Sequence, residues 1–505
     1  MAKLVRRAET NEPARKQSTG SRRDRPDHQR AFTLRRRARR FVSTLVLPLS
    51  ITARASADDG AGPDDSFPTT LAPTRVIRLR EALAYAKVHQ PSLRAALDRV
   101  AAARVAAQIP RAGWLPVAGA EAEFFAGTAN NTTALSTNVP EVDLPRIGAT
   151  RTVDRGSWVA SPSTLAAVSV GQELFDFGRI AAESVAADAN VKTERYRADA
   201  ERLAIDLVVK ESFFGVQGAK AVLRAAKDAY ERTLVHSQMA DAGVRTGLYA
   251  PIERTRAQAD LARFEVNRMR AQGGLMNAQV VLAAAVGTPE RMLDADDDVT
   301  PVPPLPSLDH AIAAGTTRDP VVLQGQARLL AQQARTRAIS AEMRPDLALS
   351  GTFSGRAGGA DPSSGVAAGN GGWVPNVPNW DVGLVLRVPL YDGVIASRQR
   401  ASAAQEKALS SELDAIAQQE LSAIQQACVT ARVARAQLGS LQRAVEAARA
   451  NYAQAEARFK AGLGTALELA DAEYLRTEAE IQLAGGQFEL SRTRAVLGKL
   501  MAEES

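Results

Sequence analysis

Glu468 and Asp471 stand three residues apart, just after a Gly-Leu turn at 462–463. That spacing puts both carboxylates on one face of a helix. A solvated first-turn acidic pair complements the helix dipole. Gathered around an axis by several copies, the same pair becomes a charged ring that favours cations and binds divalent ions at a mouth. Glu253 follows a matching Gly-Leu turn at 247–248, but Arg256 stands where the second acid would be. It reads as an intrahelical ion pair or as half of a latch between neighbouring coils. Asp381 and Arg387 fall on the polar side of an alternating segment and are candidates to line a pore. Asp294, Asp296, Asp297 and Asp298 lack EF-hand spacing and glycine, and read as a solvated loop. The sequence holds no nucleophile–base–acid arrangement, phosphate loop or metal cluster. A single Cys428 excludes an internal disulfide and a zinc–thiolate site. The four His are scattered, which argues against a His-based metal centre, and the seven Met form no soft-metal ladder, so a metal-ion substrate is not indicated; no catalytic residue, metal site or cofactor is expected.

Charge placement removes another class. The chain of 505 residues carries a net +7, but residues 1–57 hold fifteen Lys/Arg and four Asp/Glu. The remainder is therefore −4, and no nucleic-acid partner is expected. Residues 35–40 are Arg-Arg-Arg-Ala-Arg-Arg, followed by an apolar run from Phe41 to Ile51 and by Ala55-Ser56-Ala57. This is the order of a secretory signal, and its apolar run is too short to span a bilayer. No Cys stands directly after the cleavage site, so no lipid attachment is expected there, and no run of 18 apolar residues occurs elsewhere.

The elements that must position the acidic pairs come twice. Leu79-Arg-Glu-Ala-Leu83 with Gln90-Pro91 and Leu93 recurs as Leu308-Asp-His-Ala-Ile312 with Asp319-Pro320 and Val322. Leu174-Phe175-Asp176 recurs as Leu390-Tyr391-Asp392, and Gly247-Leu248 as Gly462-Leu463. Matches in one order indicate two copies of one unit. The expected division is a signal segment at 1–57, a linker at 58–75, a first repeat at 76–300, a Pro-rich linker at 301–307, a second repeat at 308–498 and a tail at 499–505.

Each copy reads as helix, two strands, very long helix, tight turn, helix. The proline-free long helices run from about Arg179 to Thr246 and from about Val394 to Ala461. Each is roughly 100 Å long at 1.5 Å per residue. Leu438, Leu441, Val445, Ala448, Tyr452, Ala455 and Phe459 alternate three and four apart as a coiled-coil seam. In each copy the shorter flanking helices sum to nearly the length of the long one and can lie beside it end to end. Cys428 reads as a small packed hydrophobe in the second long helix.

Strands are expected at about 115–127, 164–175, 346–356 and 379–391, with apolar and polar residues alternating. Trp114, Trp158, Trp373 and Trp380 all lie in or beside these hairpins, as anchors at a membrane–water interface would. Four strands cannot close a barrel, and open edges are not tolerated in lipid. Two copies would supply eight strands, with little lumen, and three would supply twelve, with room for an aqueous pore.

The Leu-x-x-Ala-Leu…Gln-Pro-x-Leu start, Leu-Phe-Asp-Phe-Gly-Arg at 174–179, Leu-Tyr-Asp-Gly at 390–393 and the two Gly-Leu turns together resemble the TolC-like outer-membrane efflux proteins. The resemblance covers about residues 76–498. It implies a mainly α fold with membrane β: a duplicated helix–β-hairpin–long helix–helix unit, trimeric, with a twelve-strand β-barrel continuous with a periplasmic α-helical barrel. It implies a passive exit duct in the bacterial outer membrane. The partners it implies are outer-membrane lipid, a periplasmic adaptor (membrane fusion) protein and an inner-membrane pump, in an efflux or type I secretion system. The family places an acidic gate at the helix start after the second turn, matched here by Glu468 and Asp471. Leu463-Gly464 stand where some members carry a basic latch residue, so no strong ionic lock is expected there. Arg245, Gly247, Leu248, Lys460, Gly462 and Leu463 become candidate adaptor contacts. The competing readings are a periplasmic adaptor or a soluble coiled-coil scaffold. Adaptors lack two ten-residue hairpins flanked by Trp, and a scaffold needs neither signal nor strands.

Overall fold

A computed structural model describes residues 75–127, 161–297, 302–358 and 377–503. The signal segment, Trp158, Trp373 and Asp298 lie outside the described residues. In chain order the elements are β1 (Arg75–Ile77), α1 (Leu79–His89), α2 (Pro91–Ala106), α3 (Gln108–Ala112), β2 (Val117–Gly127), β3 (Ser161–Phe175), α4 (Arg179–Arg245) and α5 (Pro251–Val286). There follow β4 (Leu293–Ala295), α6 (Leu308–Arg318), α7 (Pro320–Ala341), β5 (Asp346–Gly358), β6 (Val377–Arg387), α8 (Gly393–Lys460) and α9 (Ala466–Leu500). The first helix of each copy is broken at Gln90-Pro91 and Asp319-Pro320, because proline can begin a helix but cannot donate inside one.

The long helices α4 and α8 have 67 and 68 residues. The seam expected in α8 is real: Val445, Tyr452 and Phe459 are buried, and Leu438, Leu441, Ala448 and Ala455 are half-buried. Short helices lie end to end along each long one. Beside α4, Arg111 of α3 binds Asp188 at 2.8 Å near one end. Arg254 of α5 binds Asp241 at 3.0 Å near the other. Where α1 and α5 converge on the middle of α4, the largest core gathers Leu83, Val209, Phe213, Leu282 and Val286. Cys428 is buried in a second core with Ala311, Ile424 and Leu497.

The acidic stretch departs from the expected solvated loop. Leu293–Ala295 forms β4, parallel to β1. Lys220 Nζ reaches Asp294 at 2.8 Å and Asp297 at 2.9 Å, and Arg78 reaches Asp296 at 3.1 Å. Counter-charges from α4 and the β1–α1 junction draw these carboxylates onto the body. Three-residue strands carry too little alternation to show in sequence.

The other sheet runs β2-β3-β5-β6, antiparallel throughout, with β2 and β6 as open edges. Its register joins Val168 to Phe353 and Phe353 to Trp380, and it joins Leu349 to Leu384. All of these share one face. Its reverse carries Glu121, Ser169, Thr352, Ser354 and Asp381. The burial is inverted relative to a soluble sheet. Val168, Phe353, Val382, Leu384 and Leu386 are exposed, whereas Ser169, Thr352 and Ser354 are buried. The sheet differs from expectation at its ends: β3 begins at Ser161, and β6 stops at Arg387, so Val388 and Leu390 lie in the connection to α8.

Two aspartates make the strand-to-helix transitions. Asp176 accepts from the backbone N–H of Gly178 and of Ile180, while Phe177 and Gly178 take positive φ. Asp392 Oδ1 accepts from Val394 N at 2.7 Å and Ile395 N at 3.1 Å. These are the aspartates of the repeated Leu-Phe-Asp and Leu-Tyr-Asp runs, and each satisfies orphan donors at the start of a long helix. Asp176→Ala and Asp392→Ala should each cost about 1 kcal/mol, and Asp→Asn far less. Denaturant titration of the purified protein checks this; equal losses for Ala and Asn would remove the capping role.

Candidate functional site

The long helices end in two congruent turns. In the first, Gly247 takes φ +74° while Leu248 N and Tyr249 N donate to Gly243 O at 2.8 and 3.1 Å. In the second, Gly462 takes φ +71° while Leu463 N and Gly464 N donate to Arg458 O at 2.9 and 3.1 Å. Glycine is needed at both because the reversal demands a left-handed residue. Tyr249 stacks on Phe459 with ring centroids 5.6 Å apart, so the two turns sit side by side. Tyr452, Leu469 and Ala472 complete the apolar cluster beneath them.

Backbone geometry leaves the following leucine pointing outward. Leu248 is 73% exposed and Leu463 is 75% exposed. The basic residues of the turns are partly spent within their own helices: Arg245 pairs with Asp241 at 3.1 Å and Lys460 with Glu456 at 2.8 Å.

Thr465 caps α9 by accepting from Glu468 N at 3.2 Å. The Thr-x-x-Glu spacing is that of a capping box. The Glu468 carboxylate lies 4.0 Å from Arg458 of the same turn and is half exposed. Asp471 is exposed one turn further along α9. Its charge acts on Asp260 of α5, whose carboxyl is raised chiefly by burial, with Arg263 opposing. Glu253 and Arg256 form the intrahelical pair, at 3.1 Å.

At the sheet, Asp381 and Arg387 share the polar face, and Arg387 reaches Asp346 of β5 at 3.3 Å. They stand six residues apart on β6, roughly 20 Å along the strand, so they form no pair with each other. Trp380 is on the apolar face and 72% exposed. Trp114 lies at the α3–β2 junction, where its carbonyl accepts from Gln172 of β3 at 3.3 Å.

Sequence reasoning did not find the buried cluster behind the turns. Arg232 of α4 grips Glu473 of α9 through three contacts of 2.8–3.1 Å. Thr477 adds a hydrogen bond to the same carboxylate at 3.1 Å, and His236 Nε2 lies 2.9 Å from the Tyr452 hydroxyl. The available signal was Glu473 itself, a charged residue on the α9 face that carries Leu469 and Ala472. No group of three or more potential metal ligands occurs among the described residues. No described helix is long and apolar enough to cross a membrane.

A family model described as outer membrane efflux protein matches residues 82–288 and 316–503. No curated protein sequence matches the chain. Among solved structures, the outer-membrane channel OprN is 20% identical with a TM-score of 0.67, covering 84% of this chain and 90% of its own. The CmeC outer membrane channel of Campylobacter jejuni is 15% identical with a TM-score of 0.66, covering 85% and 87%. The open-state MtrE outer membrane channel of Neisseria gonorrhoeae is 18% identical with a TM-score of 0.64, covering 84% and 89%.

Proposed function

This chain belongs to the outer membrane efflux protein family, and from that membership we propose that three copies close a twelve-strand barrel over a helical duct that docks to a periplasmic adaptor and an inner-membrane pump. The family is a transport conduit of the outer membrane that extends into the periplasm. The observation that carries the proposal is the inverted sheet: apolar side chains exposed on one face, polar side chains on the other, with two open edges. In lipid those edges must be paired, and further copies of the chain would supply the missing strands. The helices agree. Only eight of the residues of α8 are buried, against eighteen in α4 of nearly equal length, so α8 keeps a long uncovered face for a neighbour.

In this reading the polar face lines the pore, with Asp381 and Arg387 inside it, and Trp114 and Trp380 anchor the barrel at the interface. The turns form the periplasmic end, where Leu248 and Leu463 are apolar knobs for the adaptor. Glu468 and Asp471 contribute six carboxylates near the constriction. A periplasmic adaptor or a soluble scaffold explains neither the inverted sheet nor the family match.

Reconstitution into planar bilayers tests the reading. A detergent-extracted trimer should give discrete channels; a monomer recovered from the aqueous fraction that never conducts would refute it. Glu468→Ala with Asp471→Ala should lower cation preference and raise conductance, since the ring loses its charge. An unchanged reversal potential in a salt gradient would remove both residues from the constriction.

A further inference from the structure

A passive conduit does not by itself require the buried cluster behind the turns. Glu473 is only 2% exposed, yet it sits at a helical seam that an apolar side chain would fill at less cost. Buried ionic groups are best attested as devices that fix one arrangement against another. The cluster joins three helices: Arg232 and His236 from α4, Tyr452 from α8, and Glu473 from α9. Beside it lies a cavity of about 240 Å³ between α4, α5 and α9, bordered by His236, Asp260, Phe264, Leu469 and Glu473. The seam between the α4–α5 hairpin and the α8–α9 hairpin is therefore underpacked, and polar contacts hold it.

We propose that Arg232, His236, Tyr452 and Glu473 form a proton-sensitive clasp between the two hairpins, closed at neutral pH and released when His236 takes up a proton. The clasp rests on the channel reading above, since its release widens the periplasmic end of a conduit.

The hydrogen bonds set the mechanism. His236 Nδ1 is buried without a partner, whereas Nε2 meets the Tyr452 hydroxyl. A neutral imidazole satisfies that bond in either tautomer. An imidazolium carries two N–H groups, and the one at Nδ1 has no acceptor. Arg232 of α4 and Lys460 of α8 oppose the added charge, and Glu456 of α8 favours it. Across the cavity α5 presents Asp260 and Arg256, and α9 presents Glu473 beside Arg476. Burial of Tyr452, reinforced by the charges of Glu473 and Glu456, pushes its phenol up to about 12, so it stays a neutral hydrogen-bond partner.

The direction of the pH effect follows. Burial lowers the His236 pKa below its ordinary value of 6.5. Above that value the ring is neutral in both arrangements and the clasp is at full strength. As pH falls below it, the released arrangement binds a proton that the clasped one refuses, and the clasp weakens. Glu473 and Asp260 act in the opposite sense, because burial raises both carboxyls and so favours their protonated forms in the clasped arrangement. Acid release is therefore specific to His236.

The test uses the full chain reconstituted in planar bilayers, with the bath on the turn side stepped from pH 7.5 to 5.0. Conductance should rise at least threefold, reversibly, with most of the change below pH 6.5. His236→Gln keeps a hydrogen-bonding side chain but cannot titrate, and should abolish the rise. Glu473→Gln should conduct more at pH 7.5, and the swap Arg232→Glu with Glu473→Arg should restore the low value. Hydrogen exchange over residues 466–477, corrected for intrinsic rates, should quicken in acid in the native protein and not in His236→Gln. That readout decides the clasp even where a variant fails to assemble or carries no current. A pH response retained in His236→Gln, in current or in exchange, overturns the clasp. Absence of current from every form counts instead against the channel reading.

Discussion

Leu384→Arg abolishes stable residence in the outer membrane. Leu384 lies on β6 between Val382 and Leu386, on the apolar face and exposed. An arginine facing lipid near the midplane of a barrel costs about 2–4 kcal/mol. In the proposed trimer the cost is incurred three times. The control is Asp381→Asn, on the opposite, polar face of the same strand, which should insert normally because that face is the one proposed to line the pore. Membrane fractionation and the heat-modifiable mobility of the extracted assembly measure both. Equal membrane yield for the two variants would mean that the exposed apolar face does not meet lipid.

On the proposed docking, Leu248→Asp combined with Leu463→Asp should disconnect the duct from the adaptor while leaving the channel intact. Burying one leucine is worth about 1.5–3 kcal/mol, and each 1.4 kcal/mol is tenfold in affinity. Losing both knobs should lower adaptor affinity at least a hundredfold. The turns themselves survive, since their reversal depends on Gly247, Gly462 and backbone bonds to Gly243 and Arg458. Adaptor capture on immobilised trimer gives the affinity, and bilayer conductance confirms an intact channel. Undiminished capture would move the docking surface away from the turns.

The long helices and the paired strands were legible because their signals are long and periodic. Proline is missing from two stretches of nearly seventy residues, and the seam from Leu438 to Phe459 keeps its step throughout. The alternation around Leu384 likewise placed one face correctly, although β6 stops short of Val388. What escaped were features made by residues distant in sequence. Arg458 opposes Glu468 only because a turn folds back. Arg232 finds Glu473 across two helices, and β1 finds β4 across most of the first copy. No local period encodes such meetings. The aspartates of the repeated motifs were visible as residues, but their capping role required the backbone to be seen.

The central seam of the sheet has a kinetic consequence. β3 and β5 pair across the whole of α4, α5 and α7, as in Ser163 opposite Gly358. Closing so large a loop is entropically expensive before other contacts exist. The α4–α5 and α8–α9 hairpins join elements adjacent in the chain, so they should form before the seam and bring these strands within reach. On the proposed assembly, biogenesis should then run from periplasm to bilayer, with the wall sealed last.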